Sequence, residues 1–245
     1  MAFLYEIFNN FYVQKALAQV VIPNSIAANL KFGIRPYQEE AFKRYIFLDR
    51  EDLDEKPDKP YHLVYNMATG SGKTLVMAGL MLYLYEKGYH NFLFFVNSNN
   101  IIQKTKDNFL NPHASKYLFK DKIIMNGKEV LIKEIDNFEE SDHQNINIKF
   151  TTIQQLHIDL NNTKENSVTY KDFKDKKIVL IADEAHHLSS ATKSNGSLFG
   201  SWEGTVLEIL NQNFDNIKSF ADIGVKEINY RHALSSANSV SVPSA

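Results

Sequence analysis

The apolar positions of this chain change their period along its length, and the changes mark its elements. Phe3, Leu4, Ile7, Phe8 and Phe11 recur at helical spacing, which predicts an N-terminal helix laying one face on the body. Pro23 closes that segment, and Pro36 opens a second helix whose apolar face includes Ala41, Phe42, Tyr45, Ile46 and Leu48. A proline at the first helical position has its φ angle already set. The charged stretch 49–60, punctuated by Pro57 and Pro60, reads as a solvated loop.

Beyond that loop, the apolar residues come in short runs. Phe92 to Val96 is continuous and predicts a strand covered on both faces, as in a parallel sheet, Ile178 to Ala182 predicts another buried strand, and His62 to Asn66 and Ile148 to Ile153 read as further strands. Helical patterns fall between or after them: from Leu75, over 101–110, over 154–160 and over 202–210. Asn126-Gly127 separates two strand-like runs and predicts a β-hairpin with a primed turn, inserted on the rim of the sheet. The polar stretch 161–177 reads as a loop, and the last eleven residues as weakly structured. The expected fold class is therefore α/β, a mostly parallel sheet flanked by helices, with an N-terminal helical segment and the hairpin insertion. Ligands of such sheets bind at the carboxyl ends of the strands.

Composition narrows the class without naming a partner. The 245 residues, 44% of them hydrophobic, can bury a large α/β core, and 27 basic against 29 acidic side chains give no field aimed at a polyanion. Any contact with nucleic acid must be local. The absence of cysteine excludes disulfides and thiolate metal sites and suits a cytoplasmic protein. The N-terminal stretch is interrupted by Glu6, Asn9, Asn10, Gln14 and Lys15 with no basic segment ahead of it, so it is read neither as a signal peptide nor as a membrane span.

Two strand ends carry the chemistry. After His62 to Asn66 the chain runs Ala68-Thr69-Gly70-Ser71-Gly72-Lys73-Thr74 into a helix, the context that a phosphate-binding loop requires. Gly70 and Gly72 bring backbone N–H groups close to phosphate oxygens, with Thr69 and Ser71 between and beside them, and the helix adds its positive end. Lys73 would reach the β- and γ-phosphates, and the Thr74 hydroxyl would bind Mg²⁺. The strict pattern fails at one place, where Met67 stands for the first glycine. The plain alternative is a glycine-rich turn between a core strand and a core helix.

The second strand end is Asp183-Glu184, after the apolar run Ile178 to Ala182. Paired acids are a costly end to a buried strand unless they meet something positive. Asp183 can hold Mg²⁺, directly or through water, opposite Thr74, while Glu184 is placed to polarise a water attacking the γ-phosphate. Lys73 and Asp183 are 110 residues apart, a separation suited to adjacent strands of one sheet. His186 reads as a polar link between this site and a surface sensing hydrolysis, with a purely structural histidine as the alternative; adjacent His186 and His187 diverge too far to share a metal.

With Ala-Thr-Gly-Ser-Gly-Lys-Thr and Asp-Glu-Ala-His in this order, the chain resembles the first RecA-like domain of a superfamily 2 helicase or translocase motor. Phe-Gly-Ile-Arg-Pro-Tyr-Gln at 32–38 resembles the block that reads adenine in such motors. The resemblance implies that Gln38 hydrogen-bonds the adenine edge, with Arg35 or Tyr37 bordering the base. A narrower likeness, carried by the segments 94–109, 148–161, 183–193 and 201–210, is to the Res subunit of type III restriction endonucleases. It implies an ATP hydrolase using ATP and Mg²⁺, DNA as a partner contacted through its backbone, and a methyltransferase (Mod) subunit. It also places Asn97, Ser98, Thr151 and Thr152 on the phosphate backbone of the tracked strand, with helix capping as the alternative role for these small side chains. On this likeness the chain divides into N-terminal helices over 1–60, a RecA-like ATP-binding domain over 61–218 and an atypical tail over 219–245. The Ser/Thr-Ala-Thr element, second RecA-like domain, arginine finger and nuclease of such enzymes have no match here, so a truncated motor is expected. Two other readings stand beside it: a binding fragment with little turnover, and a small-molecule kinase, which lacks the arginine-rich lid.

Overall fold

The computed structural model describes residues 4–50, 62–96, 99–162, 167–183, 209, 217–224 and 238–241. Its centre is a seven-stranded sheet. In chain order the strands are β1 His62–Met67, β2 Asn91–Val96, β5 Ile132–Glu134, β6 Ile146–Thr152, β7 Ile178–Ala182, β8 Ile217–Gly224 and β9 Asn238–Ser241. They lie in the order β5-β6-β2-β7-β8-β1-β9, and every neighbouring pair is parallel. The expected α/β class is borne out.

Alternation along β2 explains why its sequence is apolar throughout. Phe92, Phe94 and Val96 enter one core with residues of α3 (Asn24–Asn29), α4 (Pro36–Asp49), α5 (Lys73–Glu86) and α6 (Asn99–Leu110). Leu93 and Phe95 enter another with Leu156 and Leu160 of α7 (Ile153–Asn161) and Phe173 of α8 (Tyr170–Asp175). A strand sandwiched by two cores has no polar face to show. Helix α5 is buried from Leu75 to Leu84, and at Gly79 it approaches α4 so closely that an added Cβ would stand 2.5 Å from the Phe42 ring. The hairpin expected at Asn126-Gly127 is present as β3 (Ile123–Met125) and β4 (Lys128–Val130), with φ of 51° and 76° at the two turn residues. Asn29 clamps it to α3, its amide accepting from Ile124 N–H at 2.8 Å and donating to Ile124 O at 2.9 Å.

Four expectations need correction. The N-terminal helix is two, α1 (Leu4–Phe8) and α2 (Phe11–Ala18), because the Asn10 side chain accepts the Tyr12 N–H and starts a new helix. Phe11, assigned to the apolar face, is 68% exposed. The stretch 161–177 is not loop throughout, since α8 lies within it. There Asp172 accepts from both the N–H and the hydroxyl of Thr169, a capping arrangement legible as Thr-x-x-Asp. The C-terminal stretch contributes β8 and β9 to the sheet, and the boundary set at 218 falls inside β8. Finally, β1 and β7 are not adjacent: β8 pairs with both. The helix expected over 202–210 lies outside the described residues except for Ile209, which is helical and buried.

Candidate functional site

The phosphate loop is shaped by two residues with positive φ. β1 ends at Met67, Ser71 N–H donates to Ala68 O at 3.1 Å, and Gly70 and Gly72 take φ of 78° and 79°. Residues with a Cβ are strained in this left-handed region. Gly72 caps α5, its carbonyl accepting from Leu75 and Val76 N–H, so the first-turn N–H groups of the helix open toward the loop. A Cβ on Gly70 would meet nothing within 4 Å, so that side of the loop is open to a ligand.

Polar groups lie buried around this opening. The Lys73 Nζ is shielded from solvent, and the shielded Ser71 hydroxyl has no hydrogen-bond partner among the described residues. A buried hydroxyl and a sheltered ammonium beside a helix N-terminus suit an anionic oxygen-rich group such as a phosphate. Thr74 is half-buried in the first turn of α5.

Under the loop lies Gln38, 2% exposed. Its side-chain N–H donates to Ser71 O at 2.7 Å and its oxygen accepts the Arg35 N–H at 2.9 Å. A Cβ on Gly72 would stand 2.5 Å from the same Gln38 nitrogen. Gln38 thus ties the start of α4 to the carbonyl side of the loop, a buttressing role that sequence reasoning missed. A turn carbonyl within reach of an amide 33 residues away gives no sequence signal. One N–H of its amide remains for another acceptor. Arg35 is exposed and donates to the Tyr37 hydroxyl at 2.8 Å, so both flank the same helix start.

The acidic strand end shares this edge of the sheet. Ala182 is level with Phe95 on one side and with Ala221 on the other, and Ala221 is level with Val64 of β1. Asp183, one step on, donates its N–H to Phe95 O at 3.1 Å and is half-buried. Two strand spacings, about 9.5 Å, separate the axes of β7 and β1. That gap is wider than adjacent strands would leave, and it suits a bound phosphate and cation between the two strand ends. A hydroxyl from Thr74 and a carboxylate from Asp183 are the hard oxygen donors that Mg²⁺ takes. Among the described residues no cluster of three or more His, Cys, Asp or Glu side chains could hold a metal by itself.

Thr152 ends β6, level with Val96 at the end of β2. Its hydroxyl accepts from Gln155 N–H at 3.2 Å and caps α7, the alternative role the sequence left open, while its own O–H proton is still able to donate. Thr151 is buried and its hydroxyl is turned onto Thr152 O at 3.2 Å. Glu184, His186, Asn97 and Ser98 lie outside the described residues.

Comparison with known proteins identifies the group. A family model described as "Type III restriction enzyme, res subunit" matches residues 31–221, a span containing the phosphate loop, Gln38 and Asp183. The chain belongs to that family. A curated relative, the "Probable type III restriction-modification enzyme HindVIP Res subunit" of Haemophilus influenzae, is 42% identical over 177 residues, which is 70% of this chain and 34% of that protein. The chain thus spans about a third of the length of this Res relative. Solved structures similar to the Res-family chain include the SWI2/SNF2 ATPase core of Sulfolobus solfataricus in complex with dsDNA, with 14% identity, TM-score 0.47, and coverage of 89% of this chain and 37% of that one. The UvsW helicase of bacteriophage T4 is also similar, with 14% identity, TM-score 0.47, and coverage of 93% and 66%.

Proposed function

We propose that this chain is the Mg·ATP-binding first RecA-like domain of a DNA-dependent ATPase of the type III restriction kind. The observation that carries the reading is the shared carboxyl edge: the loop of Gly70, Ser71, Gly72, Lys73 and Thr74 and the acid at Asp183 end strands two positions apart in one parallel sheet. Thr69 to Gly72 would present N–H groups to the phosphates, Lys73 would neutralise the β- and γ-phosphates, and Gln38 would hydrogen-bond the adenine edge, with Arg35 or Tyr37 bordering the base. Thr74 and Asp183 would hold Mg²⁺, which when bound neutralises charge on the phosphate oxygens. Glu184 would orient and deprotonate the attacking water, and His186 would couple the site to the rest of a motor. DNA is proposed to be held through its backbone at Asn97, Ser98, Thr151 and Thr152, with Thr152 the best placed of the described pair. Full turnover is proposed to need an arginine from a second RecA-like domain; losing such a residue costs ~10³- to 10⁵-fold in rate. A nuclease region, a Mod subunit and a cytoplasmic setting belong to the same proposal.

Titration of the purified chain with Mg·ATP by calorimetry tests the site. Lys73→Ala should abolish measurable binding while leaving the circular dichroism spectrum unchanged. Equal affinity in the variant would refute the assignment. Fast DNA-stimulated hydrolysis by these 245 residues alone would refute the need for a second domain.

A further inference from the structure

The charge of this chain nearly cancels overall, net −2, yet its lysines are unevenly placed. Residues 29–31 run antiparallel beside residues 118–120: Leu30 bridges Phe119, Lys31 N–H donates to Leu118 O at 2.8 Å, and Lys120 N–H donates to Asn29 O at 2.9 Å. Asn29 also holds Ile124 of the hairpin. These bonds gather Lys31, Lys116, Lys120, Lys122 and Lys128 from two distant parts of the chain, all exposed, against only Asp121 and Glu129 among their exposed immediate neighbours. Glu129 meets Lys122 at 3.4 Å. Lys128 flanks the exposed Asn126-Gly127 turn of the two-stranded ribbon.

This face is distinct from the strand-end positions considered above. Thr152 is level with Val96 at the end of β2, just ahead of the start of α6, whereas Leu118 N–H donates to Asn108 O near the end of that helix. A helix of 12 residues is about 18 Å long at roughly 1.5 Å per residue, and exposed Lys104 lies between the two places.

We propose that this hairpin-centred basic face is a second contact for nucleic acid, binding the phosphate backbone of duplex DNA that flanks the strand engaged at the sheet edge. Lysines are point charges suited to phosphate and carry no base information. A two-stranded ribbon has the width that a major groove admits, about 12 Å. Lysines spread over a ribbon and two separate segments match two backbones across a groove better than one flexible strand. The inference rests on the DNA-dependent part of the proposed function.

The test is fluorescence anisotropy with a short labelled duplex of mixed sequence, over a range of salt concentrations, and calorimetry with Mg·ATP on the same proteins. In the triple variant Lys116→Gln, Lys120→Gln, Lys128→Gln, the slope of log K against log salt should fall by about 2 to 3, since each phosphate contact is worth about 0.9. Mg·ATP affinity should not change. A control triple of equal charge change, Lys87→Gln, Lys171→Gln, Lys177→Gln, should leave the slope as it was. An unchanged slope in the first triple, an equal fall in the control, or a labelled single strand showing the same loss as the duplex would each overturn the proposal. Loss of Mg·ATP binding in the wild type with the duplex slope behaving as expected would instead refute the nucleotide reading and leave this surface standing.

Discussion

Gly72 and Gln38 should be energetically coupled, and the size of the coupling follows from the geometry. Gly72 takes φ of 79°, and a Cβ there would stand 2.5 Å from the Gln38 side-chain nitrogen that donates to Ser71 O. Gly72→Ala therefore costs about 1–2 kcal/mol for the left-handed backbone. Its methyl can be accommodated only if the Gln38 amide withdraws, which forfeits a hydrogen bond with a net value of about 1 kcal/mol. The single variant should lose about 2–3 kcal/mol. In a Gln38→Ala background the clash is absent and the hydrogen bond already gone, so the same substitution should cost only the backbone share. A double-mutant cycle by urea denaturation should give a coupling of about 1 kcal/mol. Additivity within roughly 0.3–0.5 kcal/mol, the range for independent sites, would show that Gln38 does not brace the loop.

Two further outcomes are expected. Thr152→Ala should lower stability by about 1 kcal/mol through loss of the α7 cap, with Thr152→Ser retaining most of it, in thermal melts; no difference between the two would discount the cap. The ring of His90 packs edge-on against Tyr85 and His143 at 4.9 and 5.6 Å. Burial above all, with His143 and Lys177 adding to it and Asp142 opposing, holds its pKa below the ordinary 6.5. The unfolded chain then binds the extra proton first, so this contribution is whole above about pH 6.5 and is lost as pH falls through the folded value. Melting temperature should drop from pH 7 toward pH 5, and His90→Gln should flatten that part of the profile; an identical profile would refute the role.

The nucleotide loop and the apolar strands were legible in the sequence because each depends on local order: glycines before a lysine, or an unbroken apolar run. The hairpin was legible for the same reason, Asn126-Gly127 being suited to positive φ at both turn positions. What escaped depends on tertiary neighbours. The segment Ile217–Gly224 is strand although Lys218, Ser219, Asp222 and Gly224 favour strands poorly, because pairing on both sides overrides propensity. Gln38 was expected against adenine, and only the fold shows that its amide meets the Ser71 carbonyl. Thr169-x-x-Asp172 was readable as a helix start and was masked by the polar residues around it.

The placing of β8 has a consequence for assembly on the ribosome. The two strands that bear the phosphate loop and the acid are both synthesised before the strand that sits between them. A nascent chain that has emerged only as far as Glu184 thus holds both halves of the candidate site but lacks the spacer that fixes their distance. On the proposed function, competence for nucleotide is then a late event in synthesis, gated by the pairing of a segment that supplies none of the candidate site residues.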